Sequence, residues 1–342
     1  MRFQPVHEIL REAIGIEFTA AVARVQHRGS VVFERAYGVT RDDALGREVY
    51  ADTPFDLASL TKLFVSTLAL QAVAAGTLEL DGPLSRVIPE WSGRSHAAIT
   101  PRMLLAHTSG MDSGVDYRAI LDENVEAFAL SAELVAKPGD RVIYSDLGFI
   151  ALGVALERTY GRSLAAVARG SFGRSPIFRP RAAQRLDIPA TEDDGWRGRV
   201  QGFVHDEKAY LIGGVAGHAG LFGTAADVAA LTECYLGPLR GRRATLLPRD
   251  LAREATALQA DDPVLRRGLG WALKTTDENS CGRRMDFSSF GHTGFVGTCV
   301  WADPVRDLQG VLLTNGVYFG RADMRDLRAS FYEAMVQCVP SA

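Results

Sequence analysis

The sequence predicts an α/β (α+β) fold, in which an antiparallel sheet flanked by helices is built from both chain ends around an inserted all-helical domain. Three observations carry this. Strand-like runs cluster at residues 18–37, helical runs fill the middle, and strand-like runs return after residue 268. The chain has 342 residues, nearly half of them hydrophobic, enough to bury a large core. Residues 1–60 and 200–342 are expected to form the sheet domain and residues 61–199 the mainly helical one, with the active site at their junction.

The elements follow in order. Val6, Ile9, Leu10 and Ile14 share one face of a helix over residues 5–14. Residues 18–26 and 30–37 read as strands joined by a turn at His27-Arg28-Gly29. Residues 59–75 are apolar nearly all round, which marks a buried helix, and Gly76 stops it. Pro101 opens a short helix that ends at Ser109-Gly110. Helices over 123–136 and 146–159 flank the turn Lys137-Pro138-Gly139-Asp140. Residues 161–202, broken by Pro and Gly, predict no regular element, and the glycine-rich stretch 213–223 predicts a tight loop. A helix over 227–236, strands over 269–275, 294–302 and 309–317, and an amphipathic helix over 323–337 complete the chain.

Composition narrows the function. The formal net charge is −3, with no block of like charges. The arginine-rich stretch 169–185 is interleaved with Pro, Phe, Ser and Gly, so it reads as a solvated loop and no nucleic-acid partner is expected. No run is long and apolar enough to span a bilayer, and the first residues lack the apolar core of a signal peptide, so a cytoplasmic protein is expected. Cys234, Cys281, Cys299 and Cys338 lie far apart and predict free thiols in a reducing compartment, with a single Cys281–Cys299 bridge left open. No metal and no other cofactor is expected.

Three short segments can carry chemistry. Ser59 and Lys62 are three residues apart at the head of the buried helix, on one face. A lysine in so apolar a helix is costly without a partner, and desolvation is expected to leave it a neutral amine able to take the serine proton. The bland alternative is an N-capping serine beside a snorkelling lysine. Tyr144-Ser145-Asp146 sits at the head of another helix, where the tyrosine hydroxyl could relay a proton near Lys62; Asp146 would otherwise be a plain N-cap. His292-Thr293-Gly294 precedes a predicted strand. Its histidine and hydroxyl could hold a substrate carboxylate or carbonyl, and Gly294 lets backbone approach a ligand.

In this order and spacing, Ser59-Leu60-Thr61-Lys62, Tyr144-Ser145-Asp146 and His292-Thr293-Gly294 resemble the three motifs of the penicillin-recognising serine hydrolases, most closely the branch of class C β-lactamases, D-Ala-D-Ala peptidases and related esterases. LLAHTSGM at 104–111, PGDRVIYSDLGFIALG at 138–153 and residues 204–231 add to the likeness, which runs from about residue 18 to the C-terminus.

The resemblance implies a β-lactamase/transpeptidase-like fold, acylation of Ser59, and general-base work shared by Lys62 and Tyr144. It also implies an oxyanion hole from the N–H groups of Ser59 and Phe295, and substrate contacts from Asp146, His292, Thr293 and Gly294. His218, in the glycine-rich segment with His205 and Asp206, is assigned as a further substrate contact; the alternatives are loop fixing and, against the ligand spacing, a metal. His107 is expected to bond backbone at the end of its helix. Two departures argue against an efficient β-lactamase: Asp146 stands where asparagine is usual, and His292 where lysine is usual.

The expected function is hydrolysis of a small-molecule ester, amide or β-lactam-like substrate through acyl-Ser59, with a small ester favoured. Acyl transfer from the same intermediate, and a sensor that is acylated without turnover, are the alternatives.

Overall fold

Apolar side chains along residues 20–27 divide between two cores. Ala20 and Val22 join the larger one, while Ala21, Ala23 and Val25 join the second. A strand apolar on both faces must be covered on both, and it is. In this computed structural model, which describes residues 2–340, a six-stranded antiparallel sheet runs in the order Ser30–Gly38, Ala20–His27, Leu308–Thr314, Cys299–Asp303, Phe290–Thr293, Ala272–Leu273. The helix Ala225–Leu239 covers one face. The helices Gln4–Ala13 and Arg325–Gln337 pack on each other across the opposite face, where Leu10, Phe331 and Met335 meet Val25, Cys299 and Leu312.

The middle of the chain is helical. Thr61–Ala74 packs against Asp146–Tyr160 and Leu164–Phe172, with Leu63, Phe64, Leu68, Phe149 and Leu152 in the shared core. A small sheet of Phe55–Asp56, Leu221–Gly223 and Ile177–Phe178 delivers the chain into Thr61–Ala74. The four cysteines are free and buried. Among the described residues no helix is long and apolar enough to cross a membrane.

Several elements differ from their expected extents. The strand expected over 269–275 shrinks to Ala272–Leu273, because Gly270 adopts φ +81° and its N–H turns away to the Leu105 carbonyl. The strand expected from 294 starts at Cys299, since Gly294 N–H bonds the Thr298 carbonyl and closes a hairpin. His292-Thr293 therefore ends one strand instead of preceding another. The helix expected over 123–136 is Val125–Ser131; beyond it, Val135 N–H crosses to the Gly110 carbonyl. Residues 161–202 do hold a helix, Leu164–Phe172, capped by Ser163. The glycine-rich loop contains the strand Leu221–Gly223. The following helix starts earlier than expected because Thr224 and Asp227 cap it reciprocally.

Candidate active site

Ser59 owes its position to a sharp turn. From the strand Phe55–Asp56 the chain enters a single 3-10 turn, Ala58–Leu60, and then the helix Thr61–Ala74. Ala58 sits at φ +45°, a conformation that costs a non-glycine residue about 1 kcal/mol or more. Buried Asp56 holds it there, its two carboxylate oxygens accepting the Ala58 N–H at 2.8 Å and the His205 N–H at 2.7 Å. Burial nonetheless pushes the Asp56 carboxyl upward from its ordinary range. The turn presents Ser59 to a cleft of about 510 Å³, lined also by Tyr144, Asp146, Thr293, Gly294 and Phe295.

Lys62 is fully buried, and its Nζ donates to Ser59 Oγ at 3.0 Å, Asp146 Oδ1 at 2.8 Å and the His218 carbonyl at 3.2 Å. Three acceptors satisfy the three protons of an ammonium. Burial opposes that charge, but the Asp146 carboxylate and Tyr144 outweigh it, and the Lys62 pKa lies above the usual lysine value. The neutral amine expected from desolvation is thus corrected: the apolar helix supplies the burial, but a carboxylate far off in sequence supplies the counter-charge. Asp146 is the other half of the pair. Burial pushes its carboxyl up, yet Lys62 and then His218 pull harder and hold it below the ordinary range. It lines the cleft, but its nearest partner is Lys62, where the sequence had suggested substrate.

Tyr144 stands beside this pair, its ring centroid 4.8 Å from Lys62 Nζ and 5.4 Å from the Arg267 guanidinium carbon. The next residue fixes its approach. Ser145 Oγ caps the helix Asp146–Tyr160 by accepting the Gly148 N–H at 2.8 Å, while Ser145 N–H donates to His107 Nδ1 at 3.1 Å. His107 thus bonds backbone, as expected, and its ring lies 4.7 Å from that of Tyr144.

The third segment closes the cleft. A Cβ on Gly294 would lie 2.1 Å from Thr298 Oγ1 and 2.9 Å from the Leu57 carbonyl, so only glycine lets this hairpin press against the turn carrying Ser59. Neither the Ser59 nor the Phe295 N–H donates to a backbone acceptor among the described residues. Thr293 faces the cleft, but His292 is only 3% exposed and lines a second cavity. Its Nδ1 bonds the Thr293 carbonyl at 2.8 Å. Burial, then the positive charges of Arg267 and Lys62, pull its pKa down to about 3, so the ring is neutral at pH 7.

His218 also departs from its expected role. Its ring is buried on Asp206 Oδ1 at 2.7 Å, outside the cleft lining, and it serves Lys62 through its backbone carbonyl. Asp206 Oδ1 also accepts the Ala209 N–H, so this pair fixes the loop. His205 stacks on the Phe295 ring, centroids 5.7 Å apart, and bonds Glu192 at 2.7 Å. Among the described residues no cluster of His, Cys, Asp or Glu has the arrangement of a metal site. Arg321, over the Phe295 ring, and Arg328, which donates to the Gly294 carbonyl at 2.8 Å, also line the cleft. They lie beyond the last strand, with no motif in sequence to single them out.

A family model described as Beta-lactamase matches residues 11–333. The esterase EstB of Burkholderia gladioli is 31% identical, the match covering 88% of this chain and 86% of the esterase. An N-acetylmuramyl-L-alanine amidase of Bacillus subtilis (strain 168) is 28% identical over 92% of this chain and 81% of its own. A solved class C beta lactamase has a TM-score of 0.79 at 16% identity, covering 98% of this chain and 97% of that one. The overall architecture, an antiparallel sheet flanked by helices, is thus of the β-lactamase type that the motifs implied.

Proposed function

We propose, from the premise that this chain belongs to the Beta-lactamase family, that it hydrolyses small-molecule esters or amides through an acyl group carried on Ser59. The observation that carries the reading is the contact of Lys62 Nζ with Ser59 Oγ, 3.0 Å, which sets a buried ammonium against a hydroxyl that the turn presents to the cleft. Relatives named as an esterase and an amidase support the same chemistry.

The steps follow from the charges. Lys62 is an ammonium with all three protons engaged, so it acts as a positive partner of the developing Ser59 alkoxide. Tyr144 relays the proton, taking it from Ser59 as its own hydroxyl proton passes to the leaving group. The Ser59 and Phe295 N–H groups receive the oxyanion, a contribution of about 3 kcal/mol per donor in comparable sites. Water then attacks the acyl-enzyme with the relay reversed. A neutral His292 and an Asp146 held by Lys62 favour a simple carboxylic ester over a β-lactam.

Intact-protein mass spectrometry after mixing with p-nitrophenyl acetate, a fluorophosphonate or a penicillin tests this. Wild type should gain an acyl or phosphonyl adduct and turn over the ester, and Ser59→Ala should do neither. Adducts of equal yield in both proteins would reject Ser59 as nucleophile.

A further inference from the structure

The arginine-rich stretch 169–185 takes no part in the cleft. It supplies part of a separate pocket of about 410 Å³, which shares no lining residue with the cleft. Arg179 follows the short strand Ile177–Phe178, and Arg185 lies in a 3-10 turn, Ala182–Asp187. Phe203, Val204, Tyr210 and Phe222 make the apolar wall. Backbone geometry holds each arginine in place. Arg179 sits at φ +51°, uncommon for a residue with a side chain, between buried Phe178 and Pro180. A Cβ on Gly202 would lie 2.5 Å from Arg185 Cβ, so glycine is what lets Arg185 pack against the wall.

Neither guanidinium is matched. Among the described residues neither has an ion-pair or hydrogen-bond partner, and Arg185 lies instead over the Phe203 ring, 6.0 Å from its centroid. The pocket lining contains no Asp or Glu. The cleft differs, since its Arg321 is met by Glu192 and Glu207. Exposed guanidiniums are solvated, so charge alone would define only a wet surface. The concavity changes that. Phe203 and Tyr210, ring centroids 5.8 Å apart, border a hollow of the size that takes a small molecule. Apolar walls beside two cations without counter-charge suit a molecule that is apolar at one end and anionic at the other.

We propose that this pocket binds an aromatic carboxylate, with the acid on Arg179 and Arg185 and the ring against Phe203 and Tyr210. Guanidinium forks match the paired oxygens of a carboxylate, and the two aromatic side chains offer faces and edges to a flat ring. The site is separate from the chemistry at Ser59 and stands whether or not the acyl-Ser59 reading does. Val204 and Tyr210 bracket the segment that puts His205, Asp206 and Glu207 on the cleft, so the two cavities share one stretch of backbone.

Isothermal titration calorimetry with 2-naphthoate, 2-naphthamide and acetate tests it. In wild type the naphthoate should bind about tenfold or more tightly than the uncharged amide, the scale of a charge-assisted contact. Acetate, which lacks the ring, should bind more weakly than the naphthoate by a similar factor. The double substitution Arg179→Gln and Arg185→Gln should abolish the preference for the naphthoate. Arg174→Gln, which changes an exposed arginine of the same stretch outside the pocket, should keep it. Absence of naphthoate binding to wild type, or equal affinity for naphthoate and amide, overturns the proposal without any variant having to fold. Acetate binding as tightly as naphthoate overturns it as well. A preference that survives the double substitution puts the anion elsewhere, and an equal loss in Arg174→Gln shows a diffuse positive field; either result overturns the pocket.

Discussion

Lys62 Nζ lies 2.8 Å from Asp146 Oδ1, and both charges are present before substrate arrives. The pair raises the lysine above its ordinary 10.5 and lowers the aspartate below its ordinary 3.8. Its stabilisation is therefore complete between those values. It is lost as pH falls through the folded aspartate value or rises through the folded lysine value. Asp146→Asn should destabilise the fold by about 3 kcal/mol at pH 7, because an ammonium is left buried without its partner. Urea denaturation measures this, and an unchanged midpoint would mean that the pair does not hold the two segments together.

Lys62→Ala tests the other half of the pair. It removes the positive partner of Ser59 and strands Asp146. The acylation rate with p-nitrophenyl acetate should fall roughly a thousandfold, in the range seen when an electrostatic stabiliser of developing charge is deleted. Stopped-flow release of p-nitrophenol reads it directly. A rate within a few-fold of wild type would exclude Lys62 from the chemistry.

His292 makes stability sensitive to acid. Above its ordinary pKa of 6.5 the ring is neutral whether the chain is folded or not. As pH falls below that, the unfolded chain takes up a proton, while the folded ring stays neutral until about 3. Stability therefore drains away between those limits. His292→Asn should lose less stability than wild type between pH 7 and pH 4.5, compared by urea midpoints. Equal losses would show that the ring is not kept neutral by its surroundings.

Gly294→Ala should damage turnover more than binding. The added Cβ would meet Thr298 Oγ1 at 2.1 Å and the Leu57 carbonyl at 2.9 Å, so the hairpin must retreat from Ser59. With one oxyanion donor displaced, kcat should drop about a hundredfold. Steady-state kinetics on a small ester, with KM little changed, would fit; an intact kcat would separate the hairpin from oxyanion stabilisation.

Local spacing made much of this legible. Ser59 and Lys62 are one helical turn apart, so their proximity is written in the chain, and the order of strands, helices and strands implied the sheet. What stayed hidden depends on distant partners. The charge of Lys62 turns on an aspartate 84 positions away. His218 looked useful for its imidazole, yet serves through a carbonyl, and backbone atoms leave no mark on composition. Residues 269–275 alternate like a strand, but Gly270 sends its amide to Leu105. Arg267 in sequence is one of two adjacent arginines; only packing leaves Arg266 on the Lys274 carbonyl and the buried Arg267 Nε without a partner among the described residues.

The strand Ala20–His27 lies beside Leu308–Thr314 in the middle of the sheet. During synthesis, the first-made strands must wait for nearly the whole chain to emerge before their central neighbour exists. Until then the Ala20–His27 and Ser30–Gly38 hairpin has both edges open and both faces uncovered, a state prone to pair with other chains. Assembly of the sheet should therefore be a late, slow event governed by long-range closure, with the helical middle free to form first. A stop codon before residue 308 would remove far more than a terminal segment, because it would leave the sheet without its centre.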